Sequence, residues 1–349
     1  MAERYRKHVY CEKKFLEHCV SKIKNWQFRE ENFEELRLWM CIKTLIFSED
    51  IILHLDILDG DLPAFNGVRP KREFSDLEKE LALKQRDDKI HLHIGDFVTV
   101  SNINKSDNKQ LTAYYLTCAD YNTCQKCMDD YGVLAICPEN IKDFKSILYD
   151  NGTAIGKNEY TDWKLNLKFT PCNSLVLVDN YILSDVKGIE NLKNILDILL
   201  PQKLDYDNDV SFQISIFTTL KSNDLKYDVN SNDCLEKIAA SIEELRPELY
   251  FKLGIFKCSK NKFHDRIIIT NNNYICCGGG FDLINGGKSD KNTALNNVFP
   301  FFYKSAKWDS MAYSNFLKGV KENYDKATEF KADFLTGFYV GDKQNRLIT

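Results

Sequence analysis

The amino-acid sequence predicts an α/β fold for the C-terminal half of the chain, preceded by an α+β N-terminal region. In the C-terminal half, short apolar runs alternate with amphipathic segments of helical period, a pattern typical of strands joined by crossover helices. In the N-terminal region, helical periodicity gives way to segments in which apolar and polar residues alternate. A chain of 349 residues exceeds the usual size of one core. We therefore expect two domains, residues 1–150 and 151–349, the second ending in a helical extension.

The composition is that of a globular protein, and its net charge is not one that would attract nucleic acid. Hydrophobic residues make up 44% of the chain and charged residues 28%, which is too apolar for disorder. Because 47 Lys and Arg face 51 Asp and Glu, the net charge is -4, and any anion site must be local. The start lacks the apolar core of a signal peptide, and the longest early apolar stretch, 36–58, is too charged to span a bilayer. We expect a cytoplasmic protein without a transmembrane segment, and we assign no cofactor.

Residues 5–58 predict two amphipathic helices, because apolar side chains such as Cys19 and Ile23 recur at four-residue spacing. Residues 59–88 contain turn residues and a charged segment at 75–86, which predicts a surface connection carrying one exposed helix. The period then changes to two, which predicts a small mixed unit whose strands are 90–94, 111–118, 132–137 and 163–169. His91 and His93 fall on one face of the first of these strands, where we interpret them as a structural pair.

The twelve cysteines of the chain are interpreted as reduced thiols, because most fall in apolar runs and no signal peptide precedes them. One group departs from that pattern. Its spacing resembles half of a zinc-binding motif, with the two histidines upstream, and its members are Cys118, Cys124, Cys127 and Cys137. Metal binding by these four thiols stays open, although the second half of a zinc ribbon is missing. Ordinary buried or partly exposed thiols are the favoured interpretation.

Turn residues at 151–158 indicate a boundary, after which strand and helix alternate. The predicted strands are 174–178, 211–219, 250–257, 266–270 and 274–277. The predicted helices are 188–200 and 233–245, the second capped by Asp233. This order implies right-handed crossovers and a sheet that is covered on both faces.

One motif in this half carries candidate chemistry. The run His264-Asp265-Arg266 leads into an apolar strand that ends at Asn271, and the next strand ends in Gly278-Gly279-Gly280-Phe281-Asp282. This pattern resembles the phospholipase-D-like superfamily, whose members carry a His, a Lys two residues on, an Asp five further and a small-residue turn after the next strand. The resemblance is greatest to the phospholipase-D-like domain that follows microtubule-interacting-and-trafficking modules, and bacterial relatives share the His-Asp-Arg run. It covers residues 172 to about 290 and weakens towards Tyr324.

The resemblance implies a mixed sheet with flanking helices and gives each motif residue a position. His264 takes the position of the nucleophile, Arg266 that of the Lys, and Asn271 that of the Asp. Segments 178–181 and 216–219 match an early Asp-x-Tyr and a strand that ends in Thr. No match extends into the N-terminal half.

The residues themselves support an anion site. Side chains two apart in a strand share a face, so His264 and Arg266 would project together while Asp265 faces away. Arg binds two phosphate oxygens at once, and a glycine turn leaves backbone N–H groups free for an anion. We therefore assign ligand binding to Arg266, with the remaining candidates being Lys262, Gly278, Gly279, Gly280 and Asp282. The alternative is structural, with a hydrogen-bonded His-Asp-Arg cluster and a tight turn.

Catalysis is the minority interpretation. The resemblance implies that one His attacks phosphorus while a second protonates the leaving group. His264, however, is the only His after His93 in the sequence. A second His would have to come from a homodimer partner, and Asn271 has no carboxylate charge.

The leading hypothesis is a binding or scaffold protein that recognises a phosphate-bearing ligand, nucleic acid or protein partner. By analogy, an Asn- and Lys-rich chain of this kind suggests a component of a bacterial antiviral defence system. The alternative is a homodimeric phosphodiesterase or nuclease that acts through His264. A third hypothesis is a nucleic-acid clamp without chemistry, formed by Lys252, Lys257, Lys260, Lys262 and Phe263.

Overall fold

The computed structural model describes two compact parts of the chain, which we call unit 1 and unit 2. Unit 1 comprises residues 1–128 and 133–151, and unit 2 comprises 129–132 and 152–349. The described residues are 7–25, 33–46, 51–57, 90–94, 114–144, 153–155, 171–205, 210–219, 232–257, 266–277, 295–298, 320–322, 325 and 339–348. None of the helices within these ranges has the length and apolar composition needed to cross a bilayer.

Unit 1 is built on a parallel five-stranded sheet of order β3-β2-β1-β4-β5. Its strands are β1 (Lys7–Cys11), β2 (Ile51–Ile57), β3 (Ile90–Ile94), β4 (Tyr114–Leu116) and β5 (Leu134–Ile136). All four pairings are parallel, and β1 lies at the centre with β2 on one side and β4 on the other. Parallel strands require crossover connections, and the segments between the strands cover the faces of the sheet.

Helices α1 (Lys13–Lys24) and α2 (Phe33–Ile46) connect β1 to β2, and α3 (Tyr121–Tyr131) connects β4 to β5. The helix α1 buries Phe15, whose ring centroid lies 5.8 Å from that of Trp39 on α2. A short 3-10 helix covers Ile141–Phe144. The apolar stripes of α1 and α2 thus meet each other as well as the sheet, which is how amphipathic helices gain most of their stability.

The predicted α/β class is confirmed, and unit 1 differs from the sequence prediction in two details. Residues 5–58 were predicted as two helices, whereas β1 and β2 flank α1 and α2 within that range. The described strands pair in parallel throughout, rather than in a mixed α+β arrangement. A buried parallel strand reads as a short apolar run, which periodicity alone does not separate from a helix. The connection 59–88 and the strand 163–169 lie outside the described residues.

Unit 2 is built on an eight-stranded mixed sheet of order β13-β9-β8-β7-β10-β11-β12-β6. The strands are β6 (Thr153–Ile155), β7 (Ser174–Val178), β8 (Phe212–Thr218), β9 (Phe251–Lys257), β10 (Arg266–Thr270), β11 (Tyr274–Cys277), β12 (Leu295–Val298) and β13 (Tyr339–Gly341). Strands β7, β8 and β9 are parallel, and β10 runs antiparallel beside β7. The prediction that β7, β8, β9 and β10 belong to one sheet is confirmed.

Helices α4 (Val186–Leu199) and α5 (Asn232–Leu245) form the crossovers between the parallel strands of unit 2. Asp185 caps α4 by accepting a hydrogen bond from the Gly188 backbone N–H at 2.6 Å. Asp233, predicted as the cap of α5, lies one residue inside that helix, in its first turn. Of the predicted C-terminal helical extension, residues 320–322 are helical, whereas 339–341 form the edge strand β13.

The C-terminal segment closes the end of the sheet at which β7 and β8 begin. Asn345 is fully buried, and its amide donates to the Leu175 carbonyl at 3.0 Å and the Ser215 hydroxyl at 3.0 Å. Its side-chain oxygen accepts from the Ser174 hydroxyl at 2.8 Å. The neighbouring Arg346 donates to the Asn173 and Ser211 carbonyls, each at 2.9 Å. The buried Ser174 hydroxyl and Leu175 carbonyl thus find a partner in Asn345, 171 and 170 positions away in sequence.

We expect Asn345→Ala to lower the free energy of unfolding by about 2–4 kcal/mol, because the change leaves the buried partners Ser174 and Ser215 without this amide. Urea unfolding of the full chain measures the effect. The matched control is Gln344→Ala, one residue away and exposed, which should change stability by less than about 0.5 kcal/mol. Equal unfolding midpoints for the two variants would contradict the role assigned to Asn345.

Candidate functional site

The candidate site lies where the three parallel strands of unit 2 end. Asp179 follows β7, and Thr218 and Thr219 close β8. Because β10 is antiparallel to β7, its first residue, Arg266, falls at the same end of the sheet. We call this end, formed by Asp179, Tyr181, Thr218, Thr219 and Arg266, the carboxyl edge of unit 2. In open α/β sheets, ligands bind outside the carboxyl ends of strands, near the point where the strand order reverses.

Asp179 is the buried acid of this edge, with 4% of its surface exposed. Its backbone N–H donates to the Phe217 carbonyl at 3.0 Å, which extends the β7–β8 ladder by one rung. Its carboxylate accepts from the Tyr181 backbone N–H at 2.7 Å and so shapes the turn that follows the strand. Burying a carboxylate is costly unless hydrogen bonds such as this one replace those that it would make to water.

Arg266 is the cation of the carboxyl edge. Ile267 pairs with Val178 across the β10–β7 ladder, so the next rung outward brings Arg266 opposite Asp179. Its guanidinium carbon lies 5.5 Å from the centroid of the Tyr181 ring, which is within cation–π range. Arg266 is half-buried and Tyr181 is 48% exposed, so this pair lies at the surface. The aromatic face restricts the orientation of the guanidinium, and a planar fork of N–H donors is the geometry that matches an oxyanion.

The structure separates two residues that the sequence placed in one site. Arg266 begins β10 and Asn271 follows its last residue, so about 16 Å of strand lies between them at about 3.3 Å per residue. Sequence analysis noted the Asp-x-Tyr run at 179–181 as part of the resemblance but assigned no role to it. A signal was available, because polar residues directly after a buried parallel strand often line a ligand site.

The other predicted site residues, His264, Lys262, Gly278, Gly279, Gly280 and Asp282, lie outside the described residues.

Asn271 is buried at the far end of the sheet, with 2% of its surface exposed. Its side-chain oxygen accepts from the Asn173 N–H at 2.9 Å and the Ser174 N–H at 3.0 Å. Its amide nitrogen donates to the Asn173 side-chain oxygen at 2.9 Å. The orientation of the Asn173 side-chain amide is fixed as well, because its nitrogen donates to the Tyr131 carbonyl at 2.6 Å. Interchanging its oxygen and nitrogen would lose that hydrogen bond. The amide of Asn271 therefore fixes the start of β7.

We expect Asn271→Asp, which restores the residue type of the phospholipase-D-like pattern, to destabilise the protein by about 3 kcal/mol. The change replaces a donor with a carboxylate oxygen facing the Asn173 oxygen and leaves a buried charge. Urea unfolding measures the loss. Asn232→Asp is the matched control, because the same change at an exposed position in the first turn of α5 should leave stability unchanged or slightly raised. A variant at Asn271 as stable as the parent and newly active on phosphodiesters would contradict the structural role.

The four cysteines singled out by their spacing lie in unit 1, around α3 and the ends of β4 and β5. Cys124, Cys127 and Cys137 are buried, whereas Cys118 is exposed. The Cys124 and Cys137 thiols are hydrogen-bonded to each other, which lowers the pKa of Cys137 to about 7 and raises that of Cys124. Among the described residues, no group of three or more His, Cys, Asp or Glu side chains is arranged to hold a metal ion.

Cys118 alone is exposed among the nine cysteines whose side chains the structure describes, so we expect it to be the first of these nine to be alkylated in the folded protein. Partial burial of the Cys118 sulfur, and then the charge of Glu12, raise the pKa of this thiol, so its labelling rate should still be rising with pH above the ordinary thiol pKa. Mass spectrometry after timed iodoacetamide treatment measures the rate for each cysteine. Equal rates for Cys118 and the buried Cys124 would contradict the described packing.

Comparison with known proteins leaves the chain without an assigned family. No protein-family profile matches it, and no curated protein sequence matches it. One solved structure to which it shows similarity is that of TrmBL2, an archaeal chromatin protein with a novel mode of DNA binding. The two chains are 13% identical, and the alignment covers 54% of this chain and 57% of that protein, with a TM-score of 0.25. The alignment thus spans just over half of that protein, and a score this low does not establish a shared fold.

Proposed function

We propose that the chain is a binding or scaffold protein whose unit 2 is a degenerate phospholipase-D-like domain that recognises a phosphate-bearing ligand at its carboxyl edge. The observation that carries this proposal is the position of Arg266, a half-buried guanidinium at the end of three parallel strands and beside the exposed ring of Tyr181. This is the end of an α/β sheet at which ligands bind.

The charge of the chain makes a local site necessary. With a net charge of -4, the protein as a whole does not attract polyanions, so the attraction must come from a few cations placed on one surface. An arginine supplies that attraction with direction, because two of its N–H groups can bind two oxygens of one phosphate. The run Lys260 to Arg266, which leads into β10, adds lysines at 260 and 262 to the same stretch of chain.

Two features of the chain favour binding of a ligand over catalysis. Asn271, in the position of the family's Asp, is committed to the backbone of Asn173 and Ser174. The sequence contains no His after His93 other than His264, so one chain lacks the pair that phosphoryl transfer requires. A nucleic acid is the phosphate-bearing ligand that we propose to test first. Association with a protein partner in a defence system is a further part of the proposal and rests on analogy.

We expect Arg266→Ala to weaken binding of a fluorescein-labelled single-stranded oligonucleotide by about 1.5–3 kcal/mol, which is about 10- to 150-fold in Kd. Fluorescence anisotropy measures the Kd, and repeating the titration over a salt series should show a slope reduced by about one unit. Arg37→Ala is the matched control, because it removes an exposed arginine from α2 of unit 1.

Two outcomes would overturn the proposal. One is equal oligonucleotide affinity for the parent, Arg266→Ala and Arg37→Ala. The other is cleavage of a phosphodiester by the purified protein that His264→Ala abolishes without loss of folding, together with a dimer by light scattering. That second result would establish the homodimeric phosphodiesterase instead.

A further inference from the structure

Unit 1 gathers histidines on one part of its sheet. The chain contains six His, and four of them lie on the three adjacent strands β1, β2 and β3. They are His8 on β1, His54 on β2, and His91 and His93 on β3. None of these residues belongs to the site proposed in unit 2.

The strand register places these histidines on the same face of the sheet. His54 pairs with His91 across the parallel β2–β3 ladder, and Asp56 pairs with His93. Residues directly paired across strands share a face, as do residues two apart along one strand. His8 belongs to that face too, because its ring stacks on that of His54 with 5.0 Å between centroids.

Two of the four side chains already converge. The Nδ1 of His8 lies 2.7 Å from the Nε2 of His54. His54 is buried and also stacks on the Tyr10 ring, with 4.2 Å between centroids and 12° between planes. The tyrosine packing restricts the His54 imidazole, whereas His8 is half-exposed.

The distance between the two imidazoles is close to what a shared metal ion requires. With Zn–N bonds of about 2.0–2.1 Å in a tetrahedral site, two ligand nitrogens stand about 3.3 Å apart. The two rings would therefore have to part by about 0.6 Å, which is within the reach of a small rotation of the half-exposed His8. Neutral imidazoles are common ligands of first-row divalent metals.

We propose that this histidine face of unit 1 binds one divalent transition-metal ion of the zinc, nickel or copper type. The convergent pair His8 and His54 would provide two ligands, and His91, whose backbone pairs with that of His54 in the parallel ladder, is the residue that we propose as the third. A metal held there would tie β1, β2 and β3 together, and β3 is one of the two edge strands of the described sheet. The proposal is independent of the phosphate site in unit 2.

The test uses the 349-residue chain after removal of metal with a chelator. Titration with zinc chloride, followed by calorimetry, should show one tight site per chain. Titration with cobalt chloride should give visible d–d absorption without a thiolate-to-cobalt charge-transfer band. His54→Gln and His91→Gln should each weaken zinc binding by about 100-fold or more, since loss even of an outer-shell partner costs about 10- to 100-fold. His18→Gln, on α1, is the matched control and should keep the site.

His91→Gln separates the proposal from a purely structural His8–His54 hydrogen bond, because the hydrogen bond alone does not involve His91. Zinc should raise the Tm of the parent and of His18→Gln, but not that of the folded His91→Gln or His8→Gln variants. The proposal is overturned if the parent shows no tight zinc site or if His91→Gln binds zinc as the parent does. It is also overturned if cobalt shows a thiolate band, which would assign the metal to the cysteines around α3.

Discussion

The central constraint on unit 2 is the complete burial of β7, which has β8 on one side and β10 on the other. Every backbone N–H and C=O of such a strand needs a partner, including those at its two ends, where the sheet ladder no longer supplies one. At the start of the strand, side chains provide the partners: Asn271 accepts from Asn173 and Ser174. At its end, Asp179 continues the ladder and closes the next turn through its carboxylate.

The two ends of that sheet therefore have different roles. Residues of the C-terminal segment fill the end at which β7 begins. Their role there is to stabilise the sheet, because the fully buried Asn345 is hydrogen-bonded to both β7 and β8. The opposite end carries the half-buried Arg266 beside an exposed aromatic ring. Strands β7 and β8 are thus anchored at one end by side-chain hydrogen bonds, and their opposite ends carry the site that we propose for an anion.

The sequence predicted unit 2 well and unit 1 less well, for physical reasons. Strands β10 and β11 were predicted to the residue, because each is an apolar run bounded by polar turn residues. The strand β2 was assigned to a helix, although apolar residues at 51, 53, 55 and 57 alternate with others and were the available signal. The role of Asn271 could not be predicted, because its partners lie 97 and 98 residues away and only the sheet register brings them together.

In the function that we propose, the carboxyl edge of unit 2 binds an oxyanion through Arg266. The most direct measurement is a crystal structure of the protein soaked in tungstate, a heavy analogue of phosphate whose position anomalous scattering reveals. We predict a tungstate within hydrogen-bonding distance of the Arg266 guanidinium, at the ends of β7 and β8. A structure in which the Arg266 guanidinium is bound only by the Asp179 carboxylate, with no tungstate at that edge, would contradict the claim.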